Sequence, residues 1–133
     1  MNSKKILIVD DDEDLLEELH AALTSEGYNV VVIEDSIEAL KAALIINPDV
    51  ILLDIKMKGL YGFQIAERLK RSPKTANIPI LAMSGYFTRR EDLRLMNMCG
   101  MKMCLKKPID PECLIGMIDM VLKGKTNNME GLG

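Results

Sequence analysis

The sequence predicts an α/β domain built on a five-stranded parallel sheet with helices on both faces. Short apolar runs alternate with segments whose apolar residues recur at helical spacing, and the alternation repeats along the whole chain. Strands that are separated by helices need crossover connections, which produce parallel pairing. For such a doubly wound sheet we expect the strand order 2-1-3-4-5. The 133 residues, 48% of them hydrophobic, provide one domain with a single substantial core.

Five apolar runs are the predicted strands, at residues 4–9, 29–33, 50–53, 79–83 and 102–105. The first predicted helix has an apolar stripe made of Leu15, Leu16, Leu19, Ala22 and Leu23, and Gly27 follows as a left-handed cap. The second opens at Asp35-Ser36, carries Ile37, Leu40, Ala43 and Leu44, and stops before Asn47-Pro48. The apolar residues of the other three are Phe63, Ala66 and Leu69; Leu95, Met98 and Cys99; and, after Pro111, Leu114, Met117, Ile118, Val121 and Leu122.

Composition narrows the range of functions. The net charge is −3 and the basic residues are scattered, which argues against direct nucleic-acid binding. No apolar stretch reaches the roughly 18 residues that a membrane span requires, and the first residues do not form a signal peptide, so we expect a cytoplasmic protein with no membrane contact. The folded domain is predicted at residues 1–123, and residues 124–133 are predicted to be a flexible tail or the start of a linker.

The three cysteines indicate neither a disulfide framework nor a zinc site. Cys99, Cys104 and Cys113 are odd in number and lack CxxC spacing. We therefore expect them to be reduced residues that fill the core as small apolar side chains.

Acidic residues follow two strands that should be neighbours in this sheet. Asp10 and Asp11 come directly after the first strand, and Asp54 comes directly after the third. In the expected strand order the winding direction reverses between these two strands, and ligands bind beyond their carboxyl ends. Ser84 and Lys107 follow the fourth and fifth strands at the same edge. The other acids near the first strand, such as Asp12, are better explained as stabilising the start of the first helix.

This set of side chains predicts phosphoryl transfer to a carboxylate. Three carboxylates in one pocket repel one another unless a cation is present, and oxygen ligands without His or Cys favour Mg²⁺. Asp54 would be the nucleophile, and it needs no general base because an ionised carboxylate has no proton to lose. The ammonium of Lys107 and the hydroxyl of Ser84 would help to neutralise and position the phosphoryl oxygens.

In four motifs the chain resembles the receiver domain of bacterial two-component response regulators, over about residues 4–122. The motifs are ILIVDDD at 6–12, PDVILLDIKM at 48–57 followed by Gly62, IPILAMSG at 78–85, and KKPID at 106–110. The resemblance implies the flavodoxin-like fold and phosphorylation of Asp54 by a sensor histidine kinase or a histidine phosphotransfer protein. It also implies that Asp10, Asp11, Asp54 and the backbone carbonyl of Lys56 hold Mg²⁺.

The resemblance further implies roles for three other positions and an output surface. Lys56 and Tyr86 occupy the variable positions that tune the lifetime of the phosphoryl group in the family. Cys104 occupies the switch position, where members commonly carry an aromatic residue, so the usual rotamer coupling cannot operate in its familiar form. Lys58 stands where many members of the family carry a proline after the methionine. A downstream protein is expected to bind the face formed by the fourth helix, the fifth strand and the fifth helix.

Two alternatives of other classes remain. A phosphate-independent adaptor could use the same fold for protein binding only. A haloacid-dehalogenase-like phosphatase would use Asp10 and Asp12 as its pair of acids, but Asp14 stands where that family carries Thr or Val. The favoured interpretation is a phosphorylation-controlled switch that catalyses only its own phosphorylation and dephosphorylation.

Overall fold

The computed structural model describes residues 3–55, 62–85, 94 and 101–126. Its five strands are β1 (Lys5–Val9), β2 (Asn29–Ile33), β3 (Val50–Asp54), β4 (Ile80–Ser84) and β5 (Met101–Lys106). All neighbouring pairs are parallel, and the order is β2-β1-β3-β4-β5. The predicted sheet is therefore confirmed, with strand ends that differ from the prediction by one residue at most.

The described residues form four helices: α1 (Glu13–Ser25), α2 (Ser36–Ile46), α3 (Gly62–Arg71) and α4 (Pro111–Thr126). The helix labelled α4 is the fifth predicted helix, since the fourth, around Leu95 and Met98, lies outside the described residues. Helix α4 continues to Thr126, three residues past residue 123, the predicted end of the folded domain.

Two layers of apolar side chains cover the two faces of the sheet. Alternate residues of a strand point to opposite faces. Accordingly, Leu7 and Val9 pack with residues of α2 and α3, whereas Ile6 and Ile8 pack with residues of α1 and α4. The predicted arrangement of helices on both faces is confirmed.

Capping residues fix where the first two helices begin and end. The Asp12 side chain is the N-cap of α1 and accepts a hydrogen bond from the Leu15 N–H at 3.2 Å, which supports its assignment to the helix start. Gly27 follows α1 with φ +96°, as predicted for a left-handed cap. Asp35 caps the start of α2, and Asn47 ends that helix in the left-handed region with φ 53°.

The predicted buried stripe of α2 is partly wrong. Ala43 is buried as expected, but Ile37 is 60% exposed and Leu44 is 46% exposed. The residues that α2 buries are instead small ones, Ser36, Ala39 and Ala43. Because α2 has only two charged residues, its apolar pattern does not identify which side faces the sheet.

The expectation that the cysteines fill the core also fails at one position. Cys113 is exposed in the first turn of α4, while Cys104 on β5 is half-buried, and both are free thiols. Cys99 lies outside the described residues. Within the described ranges no helix is long and apolar enough to cross a bilayer.

Candidate functional site

The carboxyl ends of β1 and β3 bring the predicted acids together. Val9 pairs with Leu53 in adjacent parallel strands, so Asp10, the next residue after β1, lies beside Asp54 at the end of β3. Carboxylate oxygens of Asp10, Asp11 and Asp54 all lie within 4.8 Å of one another. The structure thus brings together the three side chains that the sequence predicted to converge.

Two of the three carboxylates are removed from solvent. Asp10 is fully buried and Asp54 is 4% exposed, while Asp11 is exposed. Buried carboxylates are rare unless a cation or several donors compensate their charge. The site therefore needs positive charge.

Lys107 supplies one positive charge between the two buried carboxylates. Its Nζ lies 2.7 Å from Oδ2 of Asp10 and 3.3 Å from Oδ2 of Asp54. The Lys107 backbone N–H donates to the Ser84 carbonyl at 2.7 Å, which ties the residue after β5 to the end of β4. The side chain is thus held at the site from both ends.

The electrostatics of Lys107 follow from this placement. Partial burial lowers the pKa of its ammonium group, but the hydrogen bond and charge of Asp10, together with Asp54, outweigh that effect and raise the pKa above its ordinary value. Lys107 is therefore a permanent cation at neutral pH.

The donor set fits a hard divalent cation. Asp10 Oδ1 accepts the Asp12 N–H at 3.0 Å, while Oδ2 is fully buried and forms an ion pair with the Lys107 ammonium. One ammonium opposes three carboxylates, which leaves excess negative charge. Mg²⁺ binds carboxylate oxygens and usually keeps several water ligands. The exposed position of Asp11 would leave room for these waters. Asp10, Asp11 and Asp54 are the residues that would hold it.

Ser84 reaches the same edge of the sheet through strand register. Asp54 pairs with Met83 across β3 and β4, so Ser84 lies one residue further along β4. Ser84 is buried, at 3% exposure. The predicted hydroxyl is therefore placed at the ends of the central strands, with the acids and Lys107.

Gly62 packs directly against the backbone that carries Asp54. Its N–H donates to the Ile55 carbonyl at 3.1 Å. A Cβ at this position would lie 2.5 Å from the Asp54 carbonyl oxygen and 2.6 Å from the Ile55 Cα. Only glycine allows α3 to begin so close to the end of β3. Sequence reasoning noted Gly62 as part of a motif but had no signal for this steric role.

A groove of about 410 Å³ lies beside the site, between α1 and the connection from β5 to α4. Leu15, Pro108 and Ile109 form its apolar part, and Lys107 lines one end. Its acidic side chains are Asp12, Asp14 and Glu18. The groove therefore opens beside the Lys107 side of the site.

The structure does not test the predicted roles of three positions, Lys56, Tyr86 and Cys104. Lys56 and Tyr86, the predicted lifetime-tuning residues, and with them the metal-binding carbonyl of Lys56, lie outside the described residues. Cys104 pairs with Ala82 across β4 and β5 and packs against the cluster of α2 and α3. Its predicted switch position stays a prediction.

The contact between Lys107 and Asp10 was not anticipated in the sequence. The expected partner of the ammonium was a phosphoryl group on Asp54, whereas the shorter of its two ion pairs is with Asp10. The strand order provides no signal for this contact, because β4 and β3 lie between β5 and β1. The contact depends on the path of the chain after β5, which places the Lys107 backbone against the end of β4.

Comparison with known proteins decides the family. A family model of the response regulator receiver domain matches residues 6–119. The chain belongs to this family. Receiver domains are the regulated components of two-component signalling, which removes the main support for the haloacid-dehalogenase alternative.

Similar proteins differ in how much of their length the chain spans. Protein PilH of Pseudomonas aeruginosa is 34% identical over 120 residues, which are 90% of this chain and 98% of PilH. Response regulator PleD of Caulobacter vibrioides is 35% identical over 123 residues, which are 92% of this chain and 27% of PleD. The chain therefore spans about a quarter of PleD but nearly all of PilH.

Solved structures show the same fold. The CheY-like receiver domain protein of Methanospirillum hungatei superposes with a TM-score of 0.89 at 25% identity, covering 96% of this chain and 99% of that one. Chemotaxis protein CheY4 of Vibrio cholerae superposes with a TM-score of 0.85 at 28% identity, covering 90% and 99%.

Proposed function

We propose that the chain accepts a phosphoryl group on Asp54 in a Mg²⁺-dependent reaction and acts as a phosphorylation-controlled switch. The observation that carries the proposal is the cluster of three carboxylates within 4.8 Å, with the Lys107 ammonium between Asp10 and Asp54. A protein that used this fold only as an adaptor would have no use for buried like charges, which cost free energy.

Each residue of the site has a distinct part in this reaction. An oxygen of the Asp54 carboxylate forms a bond to phosphorus while the bond from phosphorus to the donor breaks and its electron pair leaves with the donor. Lys107 already contacts Asp54 and stays charged, so it can pair with phosphoryl oxygens without gaining or losing a proton. The Ser84 hydroxyl, at the end of the adjacent strand, can donate to one of them. Bound Mg²⁺ would supply the charge that offsets the carboxylates and the transferred group.

The donor that we propose is a phosphohistidine on a sensor histidine kinase or on a histidine phosphotransfer protein. The groove lined by Leu15 and Pro108 gives such a protein a surface to bind next to Asp54. Its acidic side chains favour a donor with basic residues around the phosphohistidine. Asp14 and Glu18 would then contribute to partner choice rather than to the chemistry.

Phosphorylation adds between one and two negative charges to a site that is already acidic. We propose that this charge shifts a two-state equilibrium and that the face including β5 and α4 presents the change to a downstream protein. Because Cys104 is too small to act as an aromatic switch, the change would pass through Ser84 and the backbone bond from Lys107 to the end of β4. The proposed switch works within the cytoplasm and without direct nucleic-acid contact.

Intact-mass measurement after incubation with Mg²⁺ and a small phosphodonor such as phosphoramidate tests the proposal. We expect a mass increase of one phosphoryl group that is lost when Mg²⁺ is chelated and absent in Asp54→Asn. The matched control is Asp119→Asn, because Asp119 is an exposed aspartate that pairs with Lys123. The control should gain the same mass as the parent.

Two results would contradict the switch. Continuous release of phosphate that depends on Asp10, with no stable adduct, would indicate a phosphatase. No adduct under any Mg²⁺ concentration, in a chain that is folded by circular dichroism, would indicate a phosphate-independent adaptor.

A further inference from the structure

Helix α2 exposes apolar side chains that the phosphorylation chemistry does not explain. Ile37 is 60% exposed, Leu44 is 46% exposed and Ile45 is 83% exposed. Among the described residues, one other large apolar side chain is exposed to this degree, Met120 on α4. Several exposed apolar residues on one helix indicate a contact surface rather than ordinary surface composition.

Strand β2, which leads into α2, is an unprotected edge of the sheet. It pairs with β1 on one side, and no strand in the described part of the chain pairs with its other side. Its sequence, Asn-Val-Val-Val-Ile, contains no charged residue and no proline. Edge strands are usually protected by such residues or by bulges, because an open edge pairs readily with another strand.

The hydrogen-bond directions of β2 show which groups are open. The Asn29 N–H donates to the Lys4 carbonyl, and the Ile33 carbonyl accepts from the Asp10 N–H, so these residues face β1. Backbone groups of successive residues in a strand point to alternate sides. Val30 and Val32 therefore direct their N–H and C=O groups to the outer edge.

We propose that this edge binds a second copy of the chain through antiparallel pairing of the two β2 strands. A two-fold axis through Val31 places Val30 opposite Val32 of the second copy, and each pair exchanges two backbone hydrogen bonds. The axis runs perpendicular to the sheet, so both α2 helices lie on the same face of one continuous sheet. Ile37 and Leu44, which are seven residues apart and therefore on one side of α2, then flank the same seam.

Charge favours the antiparallel orientation. Glu34 and Asp35 follow β2 at one end, and Lys4 and Lys5 lie at the start of β1 beside the other end. The second end also carries Glu26 and Asp49, whose carboxylate accepts a hydrogen bond from the Lys5 N–H, so its charges nearly cancel while the first end is acidic. Antiparallel pairing brings the acidic end of one copy close to the two lysines of the other, within reach of a screened attraction. Parallel pairing would bring the two acidic ends together.

Light scattering coupled to size-exclusion chromatography of the unphosphorylated 133-residue chain tests the proposal. The expected molar mass at high concentration is twice the monomer mass of 14.9 kDa. Leu44→Lys should weaken the dimer about tenfold or more, because it introduces a charge into an apolar contact. Met120→Lys is the matched control, since Met120 has similar exposure on another helix, and it should leave the dimer unchanged.

A charge exchange separates this interface from non-specific association. Glu34→Lys alone should weaken the dimer, because it places like charges at the seam. Combining it with Lys4→Glu should restore most of the lost affinity. Both residues are exposed, so neither change should unfold the domain.

Amide hydrogen exchange locates the interface. The Val30 and Val32 amides should become protected as concentration rises, whereas the Val31 amide, which faces β1, should be protected at every concentration. A chain that stays monomeric at about millimolar concentration, where weak association is detectable, overturns the proposal. So does a dimer that Met120→Lys disrupts and Leu44→Lys does not. None of these measurements depends on phosphorylation of Asp54.

Discussion

The carboxyl edge of the sheet and helix α2 depart from ordinary burial in opposite ways. At the edge the protein buries charge, with Asp10 fully buried and Asp54 at 4% exposure. Along α2 it exposes apolar surface, with Ile45 at 83% exposure. Neither departure stabilises the isolated domain. Buried like charges repel one another, and apolar side chains that stay exposed contribute no hydrophobic stabilisation. The comparison teaches that each departure is accounted for by a proposed ligand: a cation and a phosphoryl group at the carboxyl edge, and a second copy of the chain at α2.

The largest expected effect compares the same substitution on α1 and α2. Leu19 of α1 is fully buried, whereas Leu44 of α2 is 46% exposed. Leu19→Ala should reduce the free energy of unfolding by about 2–5 kcal/mol because it leaves a cavity in the core. Leu44→Ala should cost less than about 1 kcal/mol in dilute monomer. Urea denaturation of both variants measures the difference, and equal losses would show that α2 does not present an exposed apolar face.

The next effect concerns the charge balance of the buried edge. Lys107→Met leaves Asp10 and Asp54 without their cation, so we expect a loss of about 1–3 kcal/mol in the free energy of unfolding. Lys106→Met is the matched control, because Lys106 is the exposed neighbour at the end of β5, and it should change stability by less than about 0.5 kcal/mol.

Added Mg²⁺ should recover part of the loss in Lys107→Met, since a ligand of the folded state stabilises it. Urea denaturation with and without Mg²⁺ measures the recovery. Identical midpoints for the two lysine variants in the absence of metal would contradict the role of Lys107 at the edge.

A smaller effect concerns how Asp54 is positioned. In Gly62→Ala the new methyl group would lie 2.5 Å from the Asp54 carbonyl oxygen, so the end of β3 or the start of α3 must move. We expect phosphorylation by a small donor to slow by about ten- to a hundredfold, because a displacement of about 1 Å disturbs the attack geometry. Gly116→Ala on α4 has no atom within 4 Å of the added group and should leave the rate unchanged. Equal rates for the two variants would show that the contact does not position Asp54.

The smallest effect is a pH dependence that the edge has and α2 lacks. The folded pKa of Lys107 lies above the ordinary value of 10.5. Its stabilising contribution is therefore fully present below pH 10.5 and is lost as pH rises through the folded pKa. Thermal unfolding across this range should show a steeper loss for the parent than for Lys107→Met. Ile45→Lys, which leaves Lys107 and the carboxylates intact, should lose stability with rising pH as steeply as the parent.

Sequence patterns predicted the sheet and the acidic cluster because both depend on strong local signals. Apolar runs that end in Asp10 and Asp54 identify two strands, and their order follows from crossover connections. The orientation of α2 could not be predicted in the same way. With charges at Glu38 and Lys41 alone, the helix is apolar on most of its surface, and the choice of Ala39 over Ile37 for the core depends on the space above β1 and β2. Small residues fit there, and no periodicity encodes that distance.

Individual contacts at the site also depend on three-dimensional geometry that no sequence pattern encodes. The contact of Lys107 with Asp10 crosses the ends of two strands, β4 and β3, and the fit of Gly62 against Asp54 depends on the angle at which α3 begins. Cys113 was expected in the core because cysteine is commonly buried, but its position in the first turn of α4 faces solvent. Composition indicates the average environment of a residue type, while the helix register decides the environment of one residue.

The contact of Gly62 with the Asp54 backbone has a mechanical consequence. With no side chain to absorb a small shift, displacement of the strand end pushes the whole of α3, a stiff rod of ten residues and about 15 Å. The last turn of that rod carries Arg68, Lys70 and Arg71. A shift of the Asp54 backbone, caused by a ligand at the strand ends, would thereby move these three cationic side chains at the far end of α3.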